Sequence, residues 1–150
     1  MQRSEIDEHV LNTIEIFKNN ICNICENECY SIKEVYQELK ECYCPGTPDS
    51  EIFKRAHVQS NVMRRIDYEA HYYGPNEEGC IRLALAIGVD NEADIDYLLN
   101  ARGYAGLSEC NRKEYVIWRA AVSVIFQLQQ ERPDILPEDV VDIFKKLVKA

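Results

Sequence analysis

Glycine and proline are scarce in this 150-residue sequence, which contains six and five of them. Barrels and sandwiches need a turn about every 8–12 residues, and turns depend largely on these two residue types. The alternation of apolar and polar residues that is typical of strands is absent as well. The sequence therefore predicts an all-α protein, with residues 1–150 forming a single helical domain.

Long apolar runs are also missing from the sequence. The longest, Leu83 to Val89 and Ala120 to Phe126, fall well short of the roughly 20 residues that cross a bilayer. The segment of the first eight residues has a net negative charge, whereas a secretion signal begins with a basic region and continues with an apolar one. We expect a cytoplasmic protein with no membrane partner.

The motifs of common catalytic sites are not present. The sequence has no glycine-rich phosphate loop, and no Ser-His-Asp or Cys-His arrangement stands out. The three histidines, His9, His57 and His71, are far apart, which favours surface and turn roles over catalysis or metal binding. We expect no enzymatic activity and no cofactor.

Seven cysteines are the main metal-binding candidates, and five of them lie between residues 22 and 44. Cys22 and Cys25 have a zinc-ligand spacing, and Cys42 and Cys44 could supply a second pair. However, the spacing of Cys22, Cys25 and Cys29 places them on one face of a helix, where cysteine packs like a small apolar residue. Structural packing is favoured over zinc binding, and redox sensing is a third alternative. The odd count argues against a disulfide framework.

Apolar residues at spacings of three and four predict a succession of helices. Ser4 and Ser31 begin capping boxes for the first two, and the segment from Pro45 to Pro48 ends the second. Asp49 is predicted to cap a short third helix. The predicted helices are a long one through Ile24, then Ile32–Tyr43, Asp49–Ala56, Gln59–Asp67, a buried one over Glu77–Gly88, one capped by Asn91, one from about Asn111 to Gln130, and one from Pro137. The residues predicted to face inward on the helix from Asn111 are Tyr115, Val116, Trp118, Val122, Ile125 and Phe126.

Charge is unevenly distributed along the chain. Its 26 acidic and 17 basic side chains give a formal net charge of -9, which opposes non-specific attraction to nucleic acid or an anionic membrane. The segment from Lys54 to Ile66 nevertheless contains four basic residues and no acid. This local basic cluster is the first indication of where a nucleic acid could bind.

The same segment has the pattern of a helix-turn-helix unit. In such a unit the first helix packs across the second, so apolar residues must fall at fixed offsets. Ile52, Ala56, Val58, Met63 and Ile66 occupy these offsets. The predicted DNA-binding residues are Lys54 and Arg55 on the first helix, and Gln59, Ser60, Asn61, Arg64 and Arg65 on the second.

Three segments together resemble a divergent branch of the bacterial Xre/Cro-type helix-turn-helix family. They are DSEIFKRAHV (49–58), IRLALAIG (81–88) and DYLLNARGYA (96–105), the last followed by Leu107-Ser108. The resemblance covers residues 30–125 and implies a lambda-repressor-like fold in a DNA-binding transcriptional regulator. The family generally has Ala where Phe53 stands and Gly where His57 stands. Histidine adopts a left-handed backbone more readily than most residues but less easily than glycine, so the turn is feasible at His57 or has shifted, and we expect Phe53 to separate or tilt the two helices.

Residues 1–29 and 130–150 lie outside the resemblance as flanking helices. They could supply a homodimer surface or a site for a protein partner. The alternative function is an acidic helical adaptor that has kept the fold and binds a basic protein in place of DNA. Exposure of the four basic residues on one face would favour DNA, whereas burial of Arg64 against acids would favour the adaptor.

Overall fold

The computed structural model describes the backbone of residues 3–28, 31–68 and 74–150, and the side chains of 3–20, 31–66 and 74–150. These residues contain helices only, which confirms the all-α prediction. The helices are α1 (Arg3–Glu28), α2 (Ile32–Tyr43), α3 (Asp49–Ala56), α4 (Val62–Tyr68), α5 (Glu77–Ile87), α6 (Glu92–Ala101), α7 (Lys113–Glu131) and α8 (Pro137–Lys149). None of the helices searched in the described residues combines the length and apolarity needed to span a membrane.

The chain divides into two compact units, residues 1–30 and residues 31–150. The first contains α1, whose predicted apolar positions Ile6, Val10, Ile14 and Phe17 are all exposed. The packing predicted for Cys22, Cys25 and Cys29 lies outside the described side chains. The second unit contains α2 to α8, and all the buried core residues found among the described side chains belong to it.

Short-range capping fixes where several helices of the second unit begin. The Ser31 hydroxyl accepts a hydrogen bond from the Glu34 N–H at 3.2 Å, and the Asn91 side chain accepts one from the Asp94 N–H at 2.9 Å, as predicted for both caps. Pro137 occupies the first turn of α8, where its missing N–H costs no helical hydrogen bond.

The predicted cap at Asp49 is wrong. Pro48 holds the N-cap position, and Asp49 is the first residue of α3. The Asp49 carboxylate accepts hydrogen bonds from the Tyr36 hydroxyl at 2.7 Å and from Lys40 Nζ at 2.8 Å, so it joins α3 to α2. The hydrogen bond from Lys40 holds the pKa of Asp49 below its usual value.

Helix α5 is the centre of the second unit, because it packs against α2, α3, α6 and α8. Its residues from Gly79 to Ile87 are buried except for Arg82, which confirms the predicted buried helix. Asn76 caps α5 by accepting a hydrogen bond from the Gly79 N–H at 2.7 Å. A Cβ atom at Gly79 would lie 2.9 Å from the Asn76 side-chain oxygen, so this cap requires glycine.

Three helices differ from the prediction in their start or orientation. Ser4 was predicted to cap α1 but lies inside it, because the helix already includes Arg3. Helix α4 begins at Val62 and not at Gln59, because residues 59–61 form a turn. In α7, Val116 was predicted to face inward but is 42% exposed, while Tyr115 and Trp118 are buried. Successive helical residues are about 100° apart, so Val116 lies on the side opposite the core.

Candidate nucleic-acid interface

A tight left-handed turn connects α3 to α4. His57 has φ 55° and ψ 42°, a left-handed conformation, and is the only non-glycine residue with positive φ in the described part of the chain. Its N–H donates to the Lys54 carbonyl at 3.2 Å, and the Val58 N–H donates to the Phe53 carbonyl at 3.0 Å. These two bonds form a Schellman motif, which ends a helix and turns the chain sharply.

Apolar contacts hold both sides of this turn. Ile52 and Ala56 are buried, and Val58, Met63 and Ile66 are half-buried against the core. The positions that the sequence assigned to the inner side therefore do face inward. Among the described side chains of α4, Arg64 is the exposed one.

Phe53 packs towards α2. Its ring stacks on Tyr36, with centroids 5.6 Å apart and planes inclined by 16°. Burial raises the pKa of Tyr36, as does the hydrogen bond that its hydroxyl donates to Asp49. The aromatic ring at this position therefore contributes to the contact that anchors the first half of α3.

Arg82 of α5 anchors the other end of α3. Its Nε atom donates a hydrogen bond to the Ala56 carbonyl at 2.8 Å, one of the carbonyls left without a helical partner at the end of α3. Its guanidinium also pairs with Glu78 at 3.5 Å. The sequence prediction missed this contact, because no local pattern connects two residues that are 26 positions apart.

The predicted DNA-contacting residues differ in exposure. Lys54 and Arg64 are exposed, on α3 and α4 respectively. Gln59 and Ser60 are exposed in the turn before α4, and not on the helix itself as predicted. The half-buried members of the set are Arg55, Asn61 and Arg65.

Arg55 lies in an acidic setting. Its Nη2 atom is 2.8 Å from Glu51 one turn earlier on α3. Arg55 and Lys54 line a groove of about 240 Å³ to which α8 contributes Glu138 and Asp142. These carboxylates repel phosphate and reduce the attraction that the basic pair would otherwise exert.

A second groove lies on the other side of the turn. Its polar lining includes Gln59, Arg65, Arg82 and Asn76. His57 lines both grooves, and its ring nitrogen lies 3.3 Å from Asp142. The structure therefore brings Lys54 and Arg55 together in one groove and places Arg65 in the other, while the exposed Arg64 lines neither of the two.

The cysteines considered for metal binding lie elsewhere in the chain. Among the side chains that are described, no three His, Cys, Asp or Glu residues are close enough together to hold a metal ion. Cys42 is exposed and Cys44 is half-buried, whereas their suggested zinc-binding partners Cys22 and Cys25 fall in the part of α1 without described side chains.

Comparison with protein families, with curated proteins and with solved structures finds no match for this chain.

Proposed function

We propose that residues 49–68 are a helix-turn-helix unit through which this protein binds DNA as a transcriptional regulator. The observation that carries the proposal is the turn at His57. A Schellman motif joins two short helices whose apolar residues face the core, while Gln59 and Ser60 before the second helix and Arg64 on it are exposed. Helix α4 and the turn before it would enter the major groove, and α3 would lie across the backbone.

The exposed polar residues define the roles within this interface. Gln59 and Arg64 have side chains suited to the base edges of adenine and guanine, and Ser60 can donate to a base or a phosphate. Lys54 is exposed and contacts phosphate. Arg55 contributes less, because its guanidinium is already paired with Glu51.

The overall charge sets the expected binding behaviour. A chain with a net charge of -9 and few accessible cations binds random DNA weakly, so affinity depends on base contacts within a cognate sequence. Two copies bound to two half-sites would double the number of these contacts.

Fluorescence anisotropy with DNA from upstream of the protein's own gene tests the proposal. Titrations at about 50 and 200 mM salt should show a log–log slope of roughly -0.9 for each phosphate contact. Arg64→Ala should weaken binding by about tenfold, the equivalent of 1.4 kcal/mol and within the range of one base contact. Arg132→Ala is the matched control, because Arg132 is 66% exposed and lies beyond α7. No binding at low salt, or equal affinities for the two variants, would contradict DNA binding.

The acidic adaptor is the second candidate, and the groove between α3 and α8 favours it. Glu51, Glu138 and Asp142 line this groove and give it an acidic rim suited to lysine or arginine side chains of a partner protein.

The double variant Glu138→Gln/Asp142→Asn separates the two candidates. Neutralising both acids should tighten DNA binding severalfold if the protein is a DNA binder, because phosphate repulsion decreases. It should instead weaken binding of an oligolysine peptide if the groove receives a basic partner. DNA affinity that is unchanged or lowered would exclude an interface in which α8 faces the phosphate backbone.

A further inference from the structure

The side of α7 that faces away from the core carries charge only at its two ends. Helical spacing places seven residues on this side: Lys113, Val116, Ala120, Ser123, Val124, Gln127 and Glu131, which we call the α7 outer face. All seven are exposed, and Val116 and Val124 are among the most exposed large apolar residues of residues 31–150, at 42% and 52%. The five residues between the ends are apolar, small or neutral.

The exposed faces of α2 and α8 are charged along their length. They carry Glu34, Glu38, Glu41, Glu138, Asp139, Asp142, Lys146 and Lys149. Because 29% of the chain is charged, the five uncharged residues of the α7 outer face between Lys113 and Glu131 are a local departure from its composition. Depletion of charge is typical of the centre of a protein interface.

We propose that the α7 outer face binds the same face of a second copy of this chain, in an antiparallel pair whose two-fold axis passes between Ala120 and Val124 of the outer face. The charges at the ends select this arrangement. In an antiparallel pair, Lys113 lies opposite the partner subunit's Glu131, and the same contact occurs at the other end. A parallel pair would place lysine beside lysine and glutamate beside glutamate.

The residues between the ends also fit this register. Ala120 lies opposite the partner subunit's Val124, so a small residue faces a larger one on both sides of the axis. Val116 lies opposite the partner subunit's Leu128, which is half-buried on the edge of α7. Small side chains at the centre allow the helix axes to approach to about 8 Å, the lower limit for packed helices.

The length of α7 limits the strength of the pair. Nineteen residues span about 28 Å, so the interface belongs to the small end of specific protein contacts. We expect a dimer that dissociates at micromolar concentrations. Its formation is independent of the proposed DNA binding and requires no ligand.

Sedimentation velocity of the full chain from about 5 to 500 μM tests the pairing. The wild-type chain should shift from monomer to dimer over this range. Lys113→Glu and Glu131→Lys should each weaken the dimer about tenfold, because each replaces two attractive contacts with two repulsive ones. An equimolar mixture of the two variants should dimerise with wild-type strength, since both ends of the mixed pair are again of opposite charge.

Ala120→Glu tests the centre of the face. It places two carboxylates next to the two-fold axis and should leave the chain monomeric at every concentration. Ala93→Glu is the matched control, because Ala93 is exposed on α6 and away from the α7 outer face. This variant should dimerise like the wild-type chain. Equal melting temperatures of the two variants show that the fold is intact.

Three results would overturn the proposal. The first is a wild-type chain that remains monomeric up to the highest concentration. The second is a dimer that Ala120→Glu leaves unchanged, which would place the contact on another surface. The third is a mixture of the two charge variants that dimerises no better than either alone, since this excludes the antiparallel register.

Discussion

Replacing His57 tests whether the left-handed turn between α3 and α4 is a real backbone constraint. A left-handed backbone costs a residue with a Cβ atom about 1–2 kcal/mol, and glycine avoids this cost. Glycine also has more conformational freedom in the unfolded chain, and this entropy offsets about 0.5–1 kcal/mol of the stabilisation. His57→Gly also removes the contact with Asp142, but both side chains are about half-exposed and such pairs contribute little.

The comparison of His57→Gly with His57→Ala isolates the energetic cost of a left-handed backbone for a residue with a Cβ atom. Both variants lose the imidazole and its contact with Asp142, and only alanine keeps the Cβ atom. At an ordinary helical position glycine is less stable than alanine by roughly 1 kcal/mol. At position 57 we expect the opposite order. The His57→Gly variant should be more stable than the His57→Ala variant by about 0.5–1 kcal/mol, and its melting temperature should be roughly 1–4 °C higher.

Tryptophan fluorescence during thermal unfolding measures this difference. Trp118 is the only tryptophan of the chain and is buried in α7, so its signal reports unfolding of residues 31–150. Asp142→Ala is the control for the lost contact and should change the melting temperature by less than the glycine–alanine difference. If the alanine variant melts at or above the glycine variant, His57 does not have a left-handed backbone in solution.

Further predictions concern burial and capping in the same unit. Burial raises the pKa of Asp96 above its value in the unfolded chain, about 3.9. Above the raised pKa the ionised carboxylate destabilises the folded state. Below the unfolded value the group is protonated in both states and does not change the stability. Asp96→Asn should therefore raise the melting temperature at pH 7 and lose this advantage below about pH 4. Cys80 is fully buried with its pKa raised to about 12, so peptide mass spectrometry should show a thiol reagent on the exposed Cys42 well before Cys80 is labelled. Arg82→Met should lower the free energy of unfolding in a urea titration by about 1–3 kcal/mol, because the Ala56 carbonyl loses its donor; an unchanged midpoint would show that the bond is unimportant.

Features that depend on neighbouring residues could be predicted from the sequence. The caps at Ser31 and Asn91 involve a side chain and a backbone N–H three residues later, so the residue type alone indicates them. Asp49 is also of a residue type that favours the N-cap, yet it is the first residue of α3 and Pro48 holds the cap. Its carboxylate instead binds Tyr36 and Lys40, and these tertiary partners could not be anticipated from local spacing.

Orientation within a helix was harder to predict where apolar residues occur on both sides. The spacing of Tyr115, Trp118 and Val122 identifies one buried side of α7, but Val116 belongs to the opposite one. An inward assignment for Val116 assumes that every apolar residue is needed by the core. Its exposure is the observation from which the proposed pairing of α7 begins.

The electrostatic setting of the candidate interface could not be predicted. Lys54 and Arg55 form a basic pair in the sequence, and Glu138 and Asp142 follow more than 80 residues later. Only the packing of α8 against α3 brings these acids to the same groove. The acidic residues of this flanking helix therefore lie at the candidate interface itself.

The central position of α5 has a consequence for how the second unit opens. Because α2, α3, α6 and α8 all pack on it, its backbone amides become accessible to solvent only when several helices separate together. The amide hydrogens of Leu83 and Ala84 should be among the slowest to exchange with deuterium in residues 31–150. Their exchange rate would then measure the free energy of complete unfolding, while faster exchange in α4 would report the local opening of the candidate DNA-binding helix.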